Sequence, residues 1–156
     1  EPDTKASVRI LIAEDNLMNQ KVVTKILHTI GFRSTMSGNG LEAYETYVTA
    51  ANEGRPFDLI LMDLQMPVMD GLTSARKILD YCKESGGNLA PYIVALTADV
   101  ALSVVEECKS CEMSGFISKP IKRDKLWDVL EEVTTWVAEG RNVSYKKPNF
   151  FSHSEY

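Results

Sequence analysis

Phe57-Asp58-Leu59-Ile60-Leu61-Met62-Asp63-Leu64-Gln65-Met66-Pro67-Val68-Met69-Asp70-Gly71 is the stretch on which the fold turns. Its first half is a short apolar run, its second half is rich in turn residues, and Asp63 stands at the junction. An apolar run of this length closed by proline and glycine reads as a buried strand. Open α/β sheets bind their ligands at the carboxyl ends of the strands. Asp63 is therefore expected at the mouth of a sheet.

Three other junctions follow the same plan. Val8-Arg9-Ile10-Leu11-Ile12-Ala13 ends in Glu14 and Asp15, Tyr92-Ile93-Val94-Ala95-Leu96 ends in Thr97, and Gly115-Phe116-Ile117-Ser118 ends in Lys119. Segments of helical period separate the runs. The first helix is expected over 17–30, after Asn16 as N-cap, with Val23, Ile26, Leu27 and Ile30 on one face and Gly31 as its stop. A short strand over 32–36 and a Gly38-Asn39-Gly40 turn lead to a helix over 41–51 carrying Leu41, Tyr44 and Val48. Further helices are expected over about 72–83, ending in the Ser85-Gly86-Gly87-Asn88 loop, and over about 100–112 and 123–138. In the last, Leu126, Val129, Leu130, Val133 and Val137 form the core stripe.

Strand and helix thus alternate five times, which implies βαβ units with right-handed crossovers. The expected fold is α/β: a five-stranded parallel sheet of order 2-1-3-4-5 in a flavodoxin-like (βα)5 three-layer sandwich. Residues 1–7 read as an N-terminal linker, 8–138 as the domain and 139–156 as a C-terminal tail, where breakers replace any period. Terminal disorder is the ordinary expectation for such a tail. Its aromatic end (Phe150, Phe151, Tyr156) also suits docking on the domain or on a neighbour.

At 156 residues, with 44% hydrophobic and 25% charged residues, the chain matches one ordinary globular domain. A net charge of −5 without a basic stripe argues against a nucleic-acid partner. No apolar stretch approaches the ~20 residues of a membrane span. Three cysteines, an odd count, fit a reduced, cytoplasmic setting. Cys108-Lys109-Ser110-Cys111 has redox spacing but falls late in a helix with no second pair to complete a zinc site, so packing is the expected role.

If Glu14, Asp15 and Asp63 converge, their carboxylates repel unless a cation sits among them. Hard oxygen donors with open positions suit Mg²⁺, which keeps waters and accepts phosphate. A carboxylate can also act as a nucleophile and form an aspartyl phosphate, with Lys119 and Thr97 of the right types to neutralise and position the phosphoryl group. Each acid taken singly is more commonly a cap or solvated loop residue. The joint pattern carries the inference.

That pattern resembles the receiver (response-regulator) domain of two-component signalling over residues 8 to about 138. The motifs are Glu14-Asp15-Asn16 with Asn19-Gln20, Leu61-Met62-Asp63-Leu64-Gln65-Met66-Pro67, Met69-Asp70-Gly71, Thr97-Ala98 and Lys119-Pro120. They look most like receivers at the end of hybrid histidine kinases. The resemblance implies Asp63 as phosphoacceptor, and Asp15, Asp63, Glu14 and the Gln65 backbone carbonyl as holders of Mg²⁺. It implies Lys119 paired with Asp63, Thr97 and Phe116 as switch residues, the Ala98 N–H toward the phosphoryl group, and a cis Lys119-Pro120 peptide. Gln65 and Asp99 occupy the two positions that tune phosphoryl lifetime. The implied partners are a histidine-phosphotransfer protein and a histidine kinase core.

Leu17, Met18 and Val22 fall off the apolar face of the first helix, and a docking patch for such a partner is the functional reading. Two alternatives stay open. One is a single-domain response regulator signalling through its phosphorylated face. The other is a Mg²⁺-dependent phosphohydrolase, which typically carries a second acid two residues after its nucleophile, where this chain has Gln65.

Overall fold

The computed structural model describes residues 4–86, 90–142 and 151. Strands β1 (Ile10–Ala13), β2 (Thr35–Ser37), β3 (Leu59–Asp63), β4 (Tyr92–Thr97) and β5 (Gly115–Ser118) form one five-stranded sheet of order β2-β1-β3-β4-β5. Every pairing is parallel. The helices are α1 (Thr4–Ser7), α2 (Leu17–Thr29), α3 (Gly40–Asn52), α4 (Gly71–Glu84), α5 (Leu102–Ser110) and α6 (Arg123–Ala138). This is the expected flavodoxin-like topology.

The central strands β1, β3 and β4 are buried at every position, and apolar up to their carboxyl ends, because both faces of the sheet are covered. Side chains alternate between the two layers. Leu11, Ile60, Met62, Ile93 and Ala95 enter a core with α3, α4 and α5, while Ile10, Ile12, Leu59, Leu61, Val94 and Leu96 enter one with α2 and α6. Leu126, Val129, Leu130, Val133 and Val137 are all buried on α6, joined by Trp136.

Several boundaries differ from the sequence expectation, each for a local reason. Phe32 belongs to the end of α2 rather than to β2. Its N–H bonds Leu27 O at 2.9 Å, Gly31 N–H bonds His28 O at 3.1 Å, and Gly31 adopts φ +100°. This is the glycine-terminated helix end with its 6→1 and 5→2 bonds. The helix expected over 100–112 is shorter at both ends. At its start the Asp99 carboxylate accepts the Ala101 N–H at 2.9 Å, a turn that delays the helix. At its end Glu112 takes φ +62° and Met113 N–H reaches back to Cys108 O at 3.1 Å. On α3 the buried stripe is Ala43, Tyr47 and Ala50, and Leu41, Tyr44 and Val48 lie half-buried beside it. The small alanines let α3 approach its neighbours closely, and propensity patterns alone do not rank an alanine above a leucine.

Described residues on both sides of the expected domain core meet it. Within the expected linker, residues 4–7 form a helical turn from which Lys5 donates to Ile30 O at 3.0 Å. The same ammonium lies over the rings of Phe32 and Trp127 at 5.7 and 5.4 Å. Beyond α6, Arg141 forms a bidentate pair with buried Asp58 at 2.6 and 3.0 Å and also donates to Ser7 O at 3.3 Å. Phe151 is buried in the core on the α5 side of the sheet. Phe150, Tyr156, Gly87 and Asn88 lie outside the described residues.

Candidate phosphoryl-acceptor site

Four loops at the carboxyl edge of the sheet build the site. β1 ends in Ala13, so Glu14 and Asp15 follow at the rim, and α2 starts at once under the Asn16 cap, whose side chain accepts the Asn19 N–H at 2.9 Å. Glu14 is turned inward and buried, while Asp15 faces solvent. Glu14 Oε2 accepts the Asn16 N–H at 3.1 Å, and Gln20 Nε2 donates to Glu14 O at 2.6 Å. The start of α2 thus fixes the acid pair.

Asp63 is the last residue of β3 and is 5% exposed. Its Oδ1 accepts the Gln65 N–H at 3.2 Å. The loop after it is held by two glycines that tolerate no side chain. A Cβ on Gly71 would lie 2.2 Å from Asp63 O, and one on Gly40 would lie 2.2 Å from Met69 O. Gly71 N–H bonds Leu64 O at 3.0 Å and Gly40 N–H bonds Met69 O at 3.0 Å, so the loop is clamped to α4 and α3. Asp70 caps α4 by accepting the Thr73 N–H at 2.8 Å. The clamped loop fixes the backbone at Gln65.

Glu14, Asp15 and Asp63 each present a carboxylate oxygen within 4.8 Å of the others. Lys119 reaches in from the end of β5, with Nζ 3.1 Å from Glu14 Oε1 and 3.4 Å from Asp63 Oδ2. One ammonium thus serves two buried acids. Burial, and after it the charge of Glu14, push the Asp63 carboxyl up to about 6 against the opposing pull of Lys119 and the Gln65 N–H. Buried Glu14 Oε1 meets Lys119 as an ion pair at 3.1 Å and makes no further hydrogen bond among the described residues. A compact set of hard oxygen donors, under-neutralised and open to solvent at Asp15, suits a divalent cation such as Mg²⁺.

Thr97 ends β4 one position beyond Leu96, the register partner of Asp63, and lines the same cleft. Its hydroxyl donates to Asp99 O at 3.0 Å and accepts the Asp99 N–H at 2.9 Å. Ala98 and Asp99 line the same cleft as Glu14, Asp15, Asp63, Gln65 and Lys119. The Asp99 carboxylate is engaged with the Ala101 N–H rather than with the acids. Lys119 N–H bonds Thr97 O at 2.8 Å, which ties the lysine to the hydroxyl-bearing strand, and the Lys119–Pro120 peptide is cis. Phe116 lies on β5 beside Ala95 and packs against the α5-side core.

Leu17, Met18 and Val22 are 72%, 69% and 43% exposed, an apolar strip on α2 that leaves the core to Val23 and Leu27. Cys108 and Cys111 are buried free thiols, and burial raises the pKa of both. Raised, buried thiols are unreactive, in keeping with a packing role. Sequence reasoning missed the Asp58–Arg141 pair, which has no local signal, whereas the buried Phe151 belongs to the aromatic end read as suited to docking on the domain.

The sheet is open and parallel, with acids, a lysine and a hydroxyl gathered at its carboxyl edge, and comparison with known proteins gives the family. Residues 10–131 match the response regulator receiver domain, and the chain belongs to that family. It is 40% identical over 129 residues to the osmosensing histidine protein kinase SLN1 of Saccharomyces cerevisiae, covering 82% of this chain and 10% of that protein. The chain therefore spans about a tenth of that relative's length. Among solved structures it resembles a yeast receiver domain, that of the response regulator Ssk1, crystallised with the histidine phosphotransfer protein Ypd1. There the TM-score is 0.75 at 27% identity, covering 84% of this chain and 91% of that one. It also resembles the receiver domain of a sensor histidine kinase from Pseudomonas aeruginosa with magnesium in its active-site cleft. That match has a TM-score of 0.69 at 33% identity, covering 83% and 99% of the two chains.

Proposed function

We propose that this receiver domain accepts a phosphoryl group from a phosphohistidine onto Asp63 and relays it to a histidine-phosphotransfer protein, as part of a hybrid histidine kinase. The observation that carries the reading is the buried carboxylate pair Glu14–Asp63 bridged by one lysine beside the exposed Asp15. Asp15 and Asp63, with Glu14 and the Gln65 backbone carbonyl, are the groups that would hold Mg²⁺. The ion would offset the acids' repulsion and the charge gathering on the phosphoryl oxygens.

Asp63 Oδ attacks phosphorus in line with the imidazole nitrogen; the new O–P bond forms as the P–N bond breaks and the imidazole leaves with its electron pair. Lys119 neutralises charge on the transferred group, which little more than positioning and electrostatics can accelerate. The Thr97 hydroxyl leaves the Asp99 backbone to bond a phosphoryl oxygen, and Phe116 turns inward behind it. That is a local charge change coupled to a two-state surface. Gln65 and Asp99 flank the adduct and tune its hydrolysis.

Leu17, Met18 and Val22 form the surface on which the phosphotransfer partner docks. The likeness to a receiver crystallised with such a partner supports this assignment. In a single-domain regulator the phosphorylated face would bind an effector instead. The relatives, which include several hybrid kinases, favour the relay.

The test is incubation with Mg²⁺ and acetyl phosphate followed by intact mass. Wild type gains one phosphoryl group and Asp63→Asn gains none; equal labelling of both chains overturns the assignment. Back-transfer of the label to a histidine-phosphotransfer protein separates a relay from an effector-binding regulator. Val22→Glu should weaken that transfer about 10-fold or more while leaving acetyl-phosphate labelling intact.

A further inference from the structure

β5 is an edge strand of the sheet, and on its α5 side sits Phe151, twelve positions beyond the end of α6 and its following Glu139. Phe151 is 3% exposed and belongs to the core that contains Val105, Cys108, Cys111 and Met113. Its ring centroid is 6.0 Å from that of Phe116 at 36°, and Lys109 Nζ of α5 lies 5.7 Å from the same ring. α6 itself packs in the opposite layer, against α2. The chain that leaves one face of the sheet thus delivers an aromatic side chain to the other.

Phe116 is the aromatic residue placed above in the switch. It is joined to the site by short links: three residues on stands Lys119, whose N–H bonds Thr97 O at 2.8 Å, and Thr97 pairs with Ser118 in the sheet register. Phe151 packs against Phe116 in its present position. A turn of Phe116 out of that position gives up the contact.

We propose that the α5–β5 face is a docking surface for the chain's own C-terminal segment, with Phe151 as the anchor, and that this docking opposes phosphorylation. The inference rests on the proposed function of Asp63 and adds to it a built-in occupant of the face that carries Phe116. Coupling is reciprocal. A docked Phe151 favours the present position of Phe116 and the Thr97–Asp99 contact, so a phosphoryl group on Asp63 that moves them must loosen Phe151 to the same degree. Lys109 adds a cation over the ring, which anchors the phenyl group without a hydrogen bond. Release uncovers Phe116 and the flank of α5 together.

The experiment compares the full chain with Phe151→Ala, both given Mg²⁺ and acetyl phosphate, with uptake followed by intact mass. Loss of one aromatic contact predicts initial labelling faster by about 2- to 10-fold. Equal initial rates overturn the coupling. A wild-type chain that takes up no label removes the proposed function of Asp63 and the coupling with it, which distinguishes the two failures. A second measurement needs no truncated side chain. 4-Fluorophenylalanine placed at position 151 should show a shifted ¹⁹F resonance that moves toward the free amino-acid value on adding Mg²⁺ and beryllofluoride. A resonance already at the free value, or one unmoved by beryllofluoride in a chain that does take up label, overturns the proposal.

Discussion

Two buried aspartates bracket the third strand, and they are treated in opposite ways. Asp58, just before β3, is 2% exposed and fully answered: it accepts the Arg9 N–H at 2.9 Å and two bonds from Arg141 at 2.6 and 3.0 Å. Asp63, at the other end of the same strand, is 5% exposed, lies beside Glu14 and shares one lysine with it. Burying a carboxylate is tolerable when it is paired and hydrogen-bonded, and costly when it is crowded by another. The first aspartate stabilises the fold. The second is an unfavourable arrangement of the kind that a cation would relieve, which is how active sites differ from structural ion pairs.

The comparison breaks most readily at Asp58. Asp58→Ala leaves the Arg9 N–H and a half-buried guanidinium without their acceptor, and should cost about 2–4 kcal/mol in urea unfolding. Acetyl-phosphate labelling of the surviving folded fraction should be unchanged.

At Asp63 the sign reverses. A carboxyl whose folded pKa is raised from 3.8 to about 6 binds its proton more tightly in the folded state than in the unfolded one. Stability in the absence of divalent metal therefore falls as pH climbs through that interval and levels off above it. Asp63→Asn, which removes the charge and keeps the shape, should raise the metal-free melting temperature at pH 7.5 by about 3–6 °C and flatten the pH dependence. Thermal melts at pH 5 and pH 7.5 in a chelating buffer check both statements, and a destabilised Asp63→Asn would make the two aspartates alike.

The smallest effect is expected in the loop that follows Asp63. Val68 is 76% exposed and holds φ +70°, a region costly for a β-branched side chain. Val68→Asn should stabilise the domain by about 1 kcal/mol, read from the urea midpoint. Any loss of transfer to a phosphotransfer partner would show why an exposed valine is kept under strain.

Much of this was legible in the sequence, for a physical reason. Strand ends in a parallel sheet share one edge, so the residues following Ala13, Met62, Leu96 and Ser118 had to converge once the alternation of strand and helix was read. Gly31, Asn16 and the α6 stripe likewise carry local signals of cap and period. The side-chain contacts that span the chain do not. Arg141 meets Asp58 across 83 positions, Lys5 meets Ile30 across 25, and Phe151 meets Phe116, with no pattern near any of them to announce the pairing. The same holds for rotamers: that Thr97 turns to the Asp99 backbone and Glu14 inward is decided by neighbours in space.

The two glycines under the β3–α4 loop have a mechanical consequence. Gly40 and Gly71 press backbone against backbone, leaving no slack for that wall of the cleft to travel. The opposite wall, from Thr97 to Ala101, is tied down by a hydroxyl and one carboxylate that can trade partners at little expense. The cleft is a vice with one jaw set in backbone and the other held by side-chain bonds.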